Sequence, residues 1–269
     1  MKRILSIQSS VTYGFVGNNV AVPVLTSMGI HPLAVNSVML AAHPGYGIFA
    51  GQATPADHIA TILDGLVTLN IVPDIDSVIT GYLGHADQLA IIASLITKWR
   101  HAGATGTYIC DPVLGDANKL YVDPALADRM VDQLLPLADI ITPNQFELAY
   151  LSDMPVTGSD SAILAGQHLL ASQAGLTAVI ATGIINDNDF VHDILITRTA
   201  HESWQYAKRS SGVSGSGDLF TSLLAGGLAQ SVPLRDATAH ASQLAQTVIS
   251  RSQNPKELAL LENLGLFKP

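Results

Sequence analysis

The sequence is poor in cysteine, in cations and in long apolar runs, and each shortage removes a class of function. Cys110 is the one cysteine among 269 residues. No intrachain disulfide is possible, and a reducing, cytoplasmic compartment is expected. Cys110 closes the apolar run 107–110, which suits an inert buried thiol. Lys and Arg number 13 against 22 Asp and Glu, a formal net charge of −9, and 13% of residues are charged. That is about half the roughly 25% usual in globular chains. So few cations argue against nucleic-acid binding, which is driven by phosphate neutralisation, and against a polybasic membrane anchor. No apolar run approaches the roughly 20 residues of a membrane span. The apolar stretch within MKRILSIQSS is too short for the core of a signal peptide. What remains is a chain that is 48% hydrophobic, enough to bury a large core. Any phosphate it binds must be held with few cationic side chains.

Short apolar or β-branched runs alternate with helical patterns along most of the length. Residues 4–7, 33–38, 77–80, 107–110, 140–142 and 178–182 read as strands flanked by Gly, Pro or Asn. Residues 19–28, 56–69, 86–101, 125–137, 145–151 and 162–173 carry apolar positions at spacings of three and four. Asp123-Pro124 and Thr54-Pro55 read as helix starts, a cap followed by proline in the first turn. The alternation implies an α/β chain of three layers, α/β/α, with a mostly parallel central sheet. Segments 190–197 and 203–208 alternate like antiparallel strands, and 218–228 and 234–250 are expected to close the chain as helices. No linker, repeat or charge run divides it, so one domain over 1–269 is expected. Loops 42–52, rich in Gly, His and aromatics, and 115–121 are candidate lids.

The strongest local signal is Gly212-Val213-Ser214-Gly215-Ser216-Gly217-Asp218, running into an apolar helical stretch. Glycines entering a helix present backbone N–H groups and the positive end of the helix dipole to one point, an anion site. No GK[ST] follows, so it is not a Walker A loop, and a third glycine for GxGxxG is missing. Asp218 reads either as a first-turn residue favoured by the dipole or as a base beside a bound phosphate. Asp111-Pro112 and Thr142-Pro143-Asn144-Gln145-Phe146-Glu147 each follow a predicted strand, and Thr182-Gly183 ends another. Open α/β sheets bind ligands at that edge, and carboxylates, an amide and hydroxyls there suit Mg²⁺ with nucleotide phosphates. Each element alone is also ordinary turn and cap chemistry. One cysteine and nine histidines without paired ligand spacing give a zinc site no support, and no GxSxG elbow supports a hydrolase. By the residues alone, His43 in the first loop reads as a solvated histidine.

Ser6-Ile7-Gln8-Ser9, Gly14-Phe15-Val16-Gly17-Asn18, Asn36-Ser37-Val38, Thr80-Gly81-Tyr82, Cys110-Asp111-Pro112-Val113, the TPNQFE run and Gly215-Ser216-Gly217-Asp218 together resemble the pyridoxal kinases of the ribokinase-like superfamily. The resemblance runs in order from residue 4 to about residue 250. The GSGD and TPN-x-x-E elements are shared by the wider superfamily; the SIQS and GxVGN opening is narrower. The resemblance implies ATP-dependent phosphorylation of the 5′-hydroxyl of pyridoxal, with pyridoxine and pyridoxamine as further substrates. It implies Asp218 as catalytic base and Gly215, Ser216 and Gly217 as an anion hole. Ser9, Val16, His43 and Tyr82 fall at positions around the pyridine ring. Asp111, Asn144 and Thr182 fall around the ATP phosphates, with Asp111 and Glu147 toward the metal. Asp116, Lys119 and Tyr121 fall in the lid over ATP, with Lys119 as a side-chain helper. Mg²⁺, stimulation by K⁺ and a homodimer are expected on the same ground.

The chain departs from the family at His43-Pro44, where many members carry His-Thr, which removes a hydroxyl and an N–H at a ring-binding position. Ser216 stands where TGD or VGD is common, and Lys119-Leu120-Tyr121 stands where some relatives have a lid cysteine. Lys208 and Arg209 are the only basic residues within ten positions of 212–218 in the sequence. Phosphate binding is thus expected to rest on backbone amides, a helix terminus and Mg²⁺. The alternatives are a hydroxymethylpyrimidine kinase of thiamine biosynthesis, which usually opens with a GSD-type turn and GAGxQAD, and a non-catalytic vitamin- or nucleotide-binding regulator on the same fold. A nicotinamide-dependent dehydrogenase would need GxGxxG after the first strand, where this chain has none.

Overall fold

Apolar strands buried on both faces require a sheet covered on both sides, and that requirement sets the architecture. The computed structural model describes residues 1–116, 119–186, 189–208 and 212–268. Its strands are β1 (Arg3–Tyr13), β2 (His31–Ala42), β3 (Gly51–Ala53), β4 (Ser77–Thr80), β5 (Thr107–Cys110), β6 (Gly115–Asp116), β7 (Lys119–Leu120), β8 (Ile140–Ile141), β9 (Ala178–Ile185), β10 (Phe190–Thr197) and β11 (His201–Ala207). The α-helices are α1 (Asn18–Ser27), α2 (Ala56–Thr68), α3 (Asp87–His101), α4 (Pro124–Gln133), α5 (Gln145–Ser152), α6 (Ser159–Ser172), α7 (Ser216–Ala229) and α8 (Leu234–Arg251). The main sheet runs β11-β10-β9-β8-β5-β4-β1-β2-β3. Pairing is parallel from β2 to β9 and antiparallel for β3, β10 and β11. Strands β6 and β7 make a separate small hairpin.

Side chains alternate along each strand, and the two sets bury in two different cores. Leu5, Ile7, Val78, Tyr108, Cys110 and Ile141 pack with apolar residues of α2, α3, α4, α5 and α6. Ile4, Ile79, Ile109 and Ile140 pack with those of α1, α7 and α8. The three-layer α/β/α arrangement expected from the alternation is therefore the one observed.

The structure corrects several boundaries. The first two strands run well past 4–7 and 33–38, because Ser10, Val11 and Tyr13 pair with Met39, Leu40 and Ala42. Val11, Val38 and Leu40 form a small cluster of their own beneath this extension, so polar SSVTY is strand rather than loop. The glycine-rich loop is shorter than 42–52, holding a 3₁₀ turn at Pro44–Tyr46 and then β3. Asp123 caps α4 as expected, accepting from Ala125 N at 2.8 Å. Thr54 does not cap α2, since its hydroxyl donates to Asn36 O at 2.7 Å and Pro55 takes the cap position. The helix expected over 125–137 stops at Gln133, and Leu135–Leu137 forms a 3₁₀ turn around Pro136, which cannot donate a helical hydrogen bond. A further 3₁₀ segment, Leu261–Phe267, which the sequence does not announce, sends Phe267 into the core beside α1. Among the described residues no helix is long and apolar enough to cross a membrane.

Candidate active site

Strand parity decides which polar side chains meet at the end of the sheet. Asp111 lies two residues beyond Ile109, and Thr142 two beyond Ile140, so both turn to the face covered by α7. Helix α7 answers with Asp218 and Thr221, three positions apart and so on one side of the helix. The Thr221 hydroxyl donates to Asp111 Oδ2 at 3.2 Å, and Thr142 Oγ1 lies 3.1 Å from Thr221 Oγ1. Thr142 also hydrogen-bonds to the Asp111 carboxyl, so both threonines gather on it. Sequence reasoning does not single out Thr221, although its spacing from Asp218 on an otherwise apolar helix is the signal for it.

The entry to α7 has no side-chain cap. Gly215 takes a left-handed φ of 86° there, and a Cβ at this position would lie 2.1 Å from Phe15 O. No other residue fits so close a crossing of two loops. The Ser216 N–H closes a turn on Val213 O at 3.2 Å. Among the described residues, the N–H groups of Gly215, Gly217 and Asp218 have no protein acceptor. Of the expected Gly215, Ser216 and Gly217 donors, Ser216 is thus the one whose N–H is engaged within the chain. Asp218 itself accepts from the Gly17 N–H, which ties the opening motif of the chain to its last.

Glu147 organises the neighbouring corner. It is buried, and its carboxylate accepts from Leu114 N at 3.0 Å, Gly115 N at 3.5 Å and Asn144 N at 2.9 Å. Asn144 caps α5 by accepting from Glu147 N at 2.9 Å, and its amide donates to Gly115 O at 2.8 Å. The pair therefore holds the root of the hairpin that carries Asp116, Lys119 and Tyr121. Lys119 and Tyr121 are exposed, and Tyr121 N donates to Leu114 O at 2.8 Å. Residues 117 and 118 of the expected lid lie outside the described residues, as does Arg209. Thr182 bridges to Asn144 across the end of the sheet, its N–H donating to Pro143 O at 2.9 Å.

The residues expected around a ring gather beside this corner. Ser9 is buried against Gly17, where a Cβ would come 2.3 Å from Ser9 Oγ. Val16 and Tyr82 both pack on the Val11, Val38 and Leu40 cluster. Behind them runs a buried polar network that the sequence reading misses. Gln8 Nε2 donates to Ser6 Oγ at 2.9 Å, Ser6 Oγ to Asn18 Oδ1 at 2.6 Å, and Asn18 Nδ2 to Asn36 Oδ1 at 2.8 Å. His43 is buried, not solvated. Its Nδ1 accepts from Gly45 N at 3.2 Å, so Nε2 carries the proton and donates to Lys256 O at 3.1 Å. Both ring nitrogens are thereby used within the chain. The Tyr46 ring packs at a tilt of 60° against His43, centroids 4.7 Å apart, and its hydroxyl donates to Glu257 Oε1 at 2.9 Å. Ser214 N donates to Pro255 O at 3.0 Å, so segment 255–257 straps the His43 loop to the glycine loop.

Charge is unbalanced at this site. Among the described residues no Lys or Arg forms an ion pair with Asp111, Glu147 or Asp218. Burial and the neighbouring Asp218 push Asp111 up to about 8, and burial also raises Asp218 against the Gly17 N–H. Burial and Asp111 push Glu147 upward against its three N–H donors. No group of three or more His, Cys, Asp or Glu side chains among the described residues is placed to hold a metal unaided. Buried carboxyl groups with surplus negative charge and no cationic partner fit a divalent cation that keeps its waters and arrives on phosphates.

Two outcomes follow. Asp111 titrates in the folded chain at about 8 against an ordinary 3.8, so the folded state holds a proton that the unfolded state has released between those values. Stability from this group therefore falls as pH rises through that window. With chelator and no nucleotide, Asp111→Asn is expected to gain in Tm on the parent from about pH 5 to about pH 8; a constant offset in a calorimetric series contradicts this. Burial also pushes the Cys110 thiol up to about 11. At about pH 8 the native chain is expected to resist a thiol-exchange reagent that titrates the denatured chain fully, and fast native labelling contradicts it.

Known proteins resemble the chain both in sequence and in fold. Residues 21–260 match the family model described as phosphomethylpyrimidine kinase. The chain is 32% identical over 267 residues to pyridoxal kinase PdxY of Vibrio vulnificus, covering 97% of this chain and 91% of that protein. The crystal structure of pyridoxal kinase from Entamoeba histolytica superimposes with a TM-score of 0.93 at 26% identity, covering 99% of this chain and 95% of that one. Pyridoxal kinase from Leishmania donovani in complex with ADP and pyridoxamine gives 0.92 at 28%, covering 99% and 96%. With its ribokinase-like sheet, its GSGD helix entry and kinship across nearly its whole length, the chain belongs to the pyridoxal kinase family.

Proposed function

We propose that this chain phosphorylates the 5′-hydroxyl of pyridoxal with ATP, and that pyridoxine and pyridoxamine are further acceptors. The observation that carries the reading is Asp218 at the open N-terminus of α7, beside buried Asp111 and free backbone donors. The vitamer ring lies against Ser9, Val16 and Tyr82, with its hydroxyl at Asp218. His43 shapes this pocket from behind, through the strap, because its nitrogens are already engaged. The N–H groups of Gly215, Gly217 and Asp218 and the helix dipole face the transferring phosphoryl group. Asp218 takes the hydroxyl proton as the new O–P bond forms and the bond from γ-phosphorus to the bridging oxygen of ADP breaks. Asn144, Thr182 and the hairpin of Asp116, Lys119 and Tyr121 hold the nucleotide.

When bound, a divalent cation, proposed to be Mg²⁺, supplies neutralisation of phosphate charge, with Asp111 as its carboxylate, Glu147 behind it and K⁺ as a stimulating ion. Retention of Asp111, Asn144, Glu147 and Asp218 together speaks against a non-catalytic regulator. The reading extends to a single kinase domain over 1–269, a cytoplasmic location and a homodimer. Met39, Ile48 and Phe49, exposed at the β2–β3 edge, support the last.

The test is a coupled ADP-release assay with pyridoxal, pyridoxine, pyridoxamine and hydroxymethylpyrimidine side by side. Pyridoxal is expected to have the highest kcat/KM. A higher value for hydroxymethylpyrimidine would move the chain to the activity named by the family model, and no turnover with any acceptor would remove the kinase reading.

A further inference from the structure

The register between β9 and β10 breaks at one place. Ala181 pairs with Ile194 and Ile184 with His192, so Thr182 and Gly183 together stand opposite the single residue Asp193. This is a β-bulge, a device that re-aims a side chain and recurs beside active sites. Gly183 takes a φ of 64° in it. Thr182 is the residue it re-aims, and Thr182 meets Asn144 at the nucleotide end of the sheet.

Asp193 is buried with 3% exposure, and among the described residues it has no Lys or Arg partner. A buried carboxylate in that state is costly unless hydrogen bonds compensate it. Both of its oxygens are used. Oδ1 accepts from Gly183 N at 2.9 Å, inside the bulge, and Oδ2 accepts from the buried Ser242 hydroxyl of α8. One carboxylate thus clamps the left-handed turn to a helix that contributes none of the residues assigned to the site. Parity turns Asp193 toward α8 as its neighbour Leu195 is turned, away from the core that holds Ile194 and Ile196. An apolar residue there would leave the Gly183 N–H and the buried Ser242 hydroxyl without this acceptor, so the carboxylate is explained by the turn and the helix it joins.

We propose that Asp193 is a positioning residue for the nucleotide half of the site, fixing the bulge that sets Thr182 opposite Asn144. The proposal rests on the kinase reading above and goes beyond it by assigning the nucleotide geometry to a residue remote from substrate. Asp193→Ala is expected to raise KM for ATP about tenfold while KM for pyridoxal stays within about twofold. Asp193→Asn keeps an acceptor for Gly183 N and can donate its amide to Ser242, so it is expected to restore KM for ATP to within about threefold. Combined with Thr182→Ala, Asp193→Ala is expected to add less than its separate effect, because both act on one group.

Nucleotide affinity, measured by calorimetry with ADP in the absence of vitamer, is expected to follow the same order without relying on turnover. If Asp193→Ala does not fold, Ser242→Ala carries the test, with the same split at smaller size. Equal changes in both KM values, or full additivity with Thr182→Ala, would overturn the proposal. If the parent binds ADP but phosphorylates none of the acceptors, the kinase reading fails while the order of ADP affinities still decides the role of Asp193.

Discussion

Asp218→Ala is expected to lower kcat for pyridoxal at least about 100-fold while leaving ADP affinity within about threefold, the pattern of a lost general base. Two features make the effect large. The carboxylate sits at the helix entry where the N–H groups of Gly215, Gly217 and Asp218 lack acceptors among the described residues, so base and anion donors face the same point. The second is Asp111, which burial and the charge of Asp218 push up to about 8. A carboxyl raised in this way holds its proton to higher pH in the absence of a cation. Removing Asp218 relieves Asp111, and for that reason the variant is expected to be no less stable than the parent. Asp218→Asn retains the acceptor for the Gly17 N–H and so separates chemistry from loop placement. It is expected to be as inactive as the alanine variant. Coupled ADP release and calorimetry give the two readouts, and either variant turning over within a few-fold of the parent removes the base from the mechanism.

Glu147→Gln, a change of one atom, is expected to lower kcat/KM for ATP about 10–100-fold, the range for residues that orient a ligand-binding group. It is also expected to lower Tm by about 5 °C, as the loss of buried acceptors costs about 1–3 kcal/mol for each orphaned donor. The carboxylate accepts from three backbone N–H groups, at Leu114, Gly115 and Asn144. An amide keeps one acceptor oxygen and turns an NH₂ against the remaining N–H. The hairpin root and the cap of α5 loosen together, because Asn144 grips Gly115 as well. Burial and Asp111 push this carboxyl upward, so the experiment has a second use. A glutamine variant as stable and active as the parent would mean the parent already carries the proton, since only then are the two side chains alike in donors and acceptors. Thermal unfolding and ATP titration decide between the two.

Much of this site was legible before any fold was known. Alternating apolar runs implied a covered parallel sheet, and Asp111, Asn144, Glu147 and Thr182 were marked by falling just after its strands. The GSGD helix entry was marked by glycines that no regular element tolerates. Other parts were not legible, each for a local reason. Thr221 looked like one more position on an apolar helix until α7 was laid over β5 and β8. His43 looked solvated because its partner, the Lys256 carbonyl, is more than 200 residues away. The polar extension of β1 lacked strand character of its own and became strand only by pairing with β2.

The scarcity of cations, by itself, determined that phosphate would have to be met by backbone and helix termini, and period-two alternation determined which strand residues share a face. What only the tertiary structure decided is which donors remain free and which acids meet. Ser216 spends its N–H on Val213, Asp193 reaches across the sheet edge to Gly183 and Ser242, and Asp111 and Asp218 come together from positions over 100 residues apart. Hydrogen bonds and charge coupling act over a few ångströms of space, and distances of that kind are set by packing rather than by spacing along the chain.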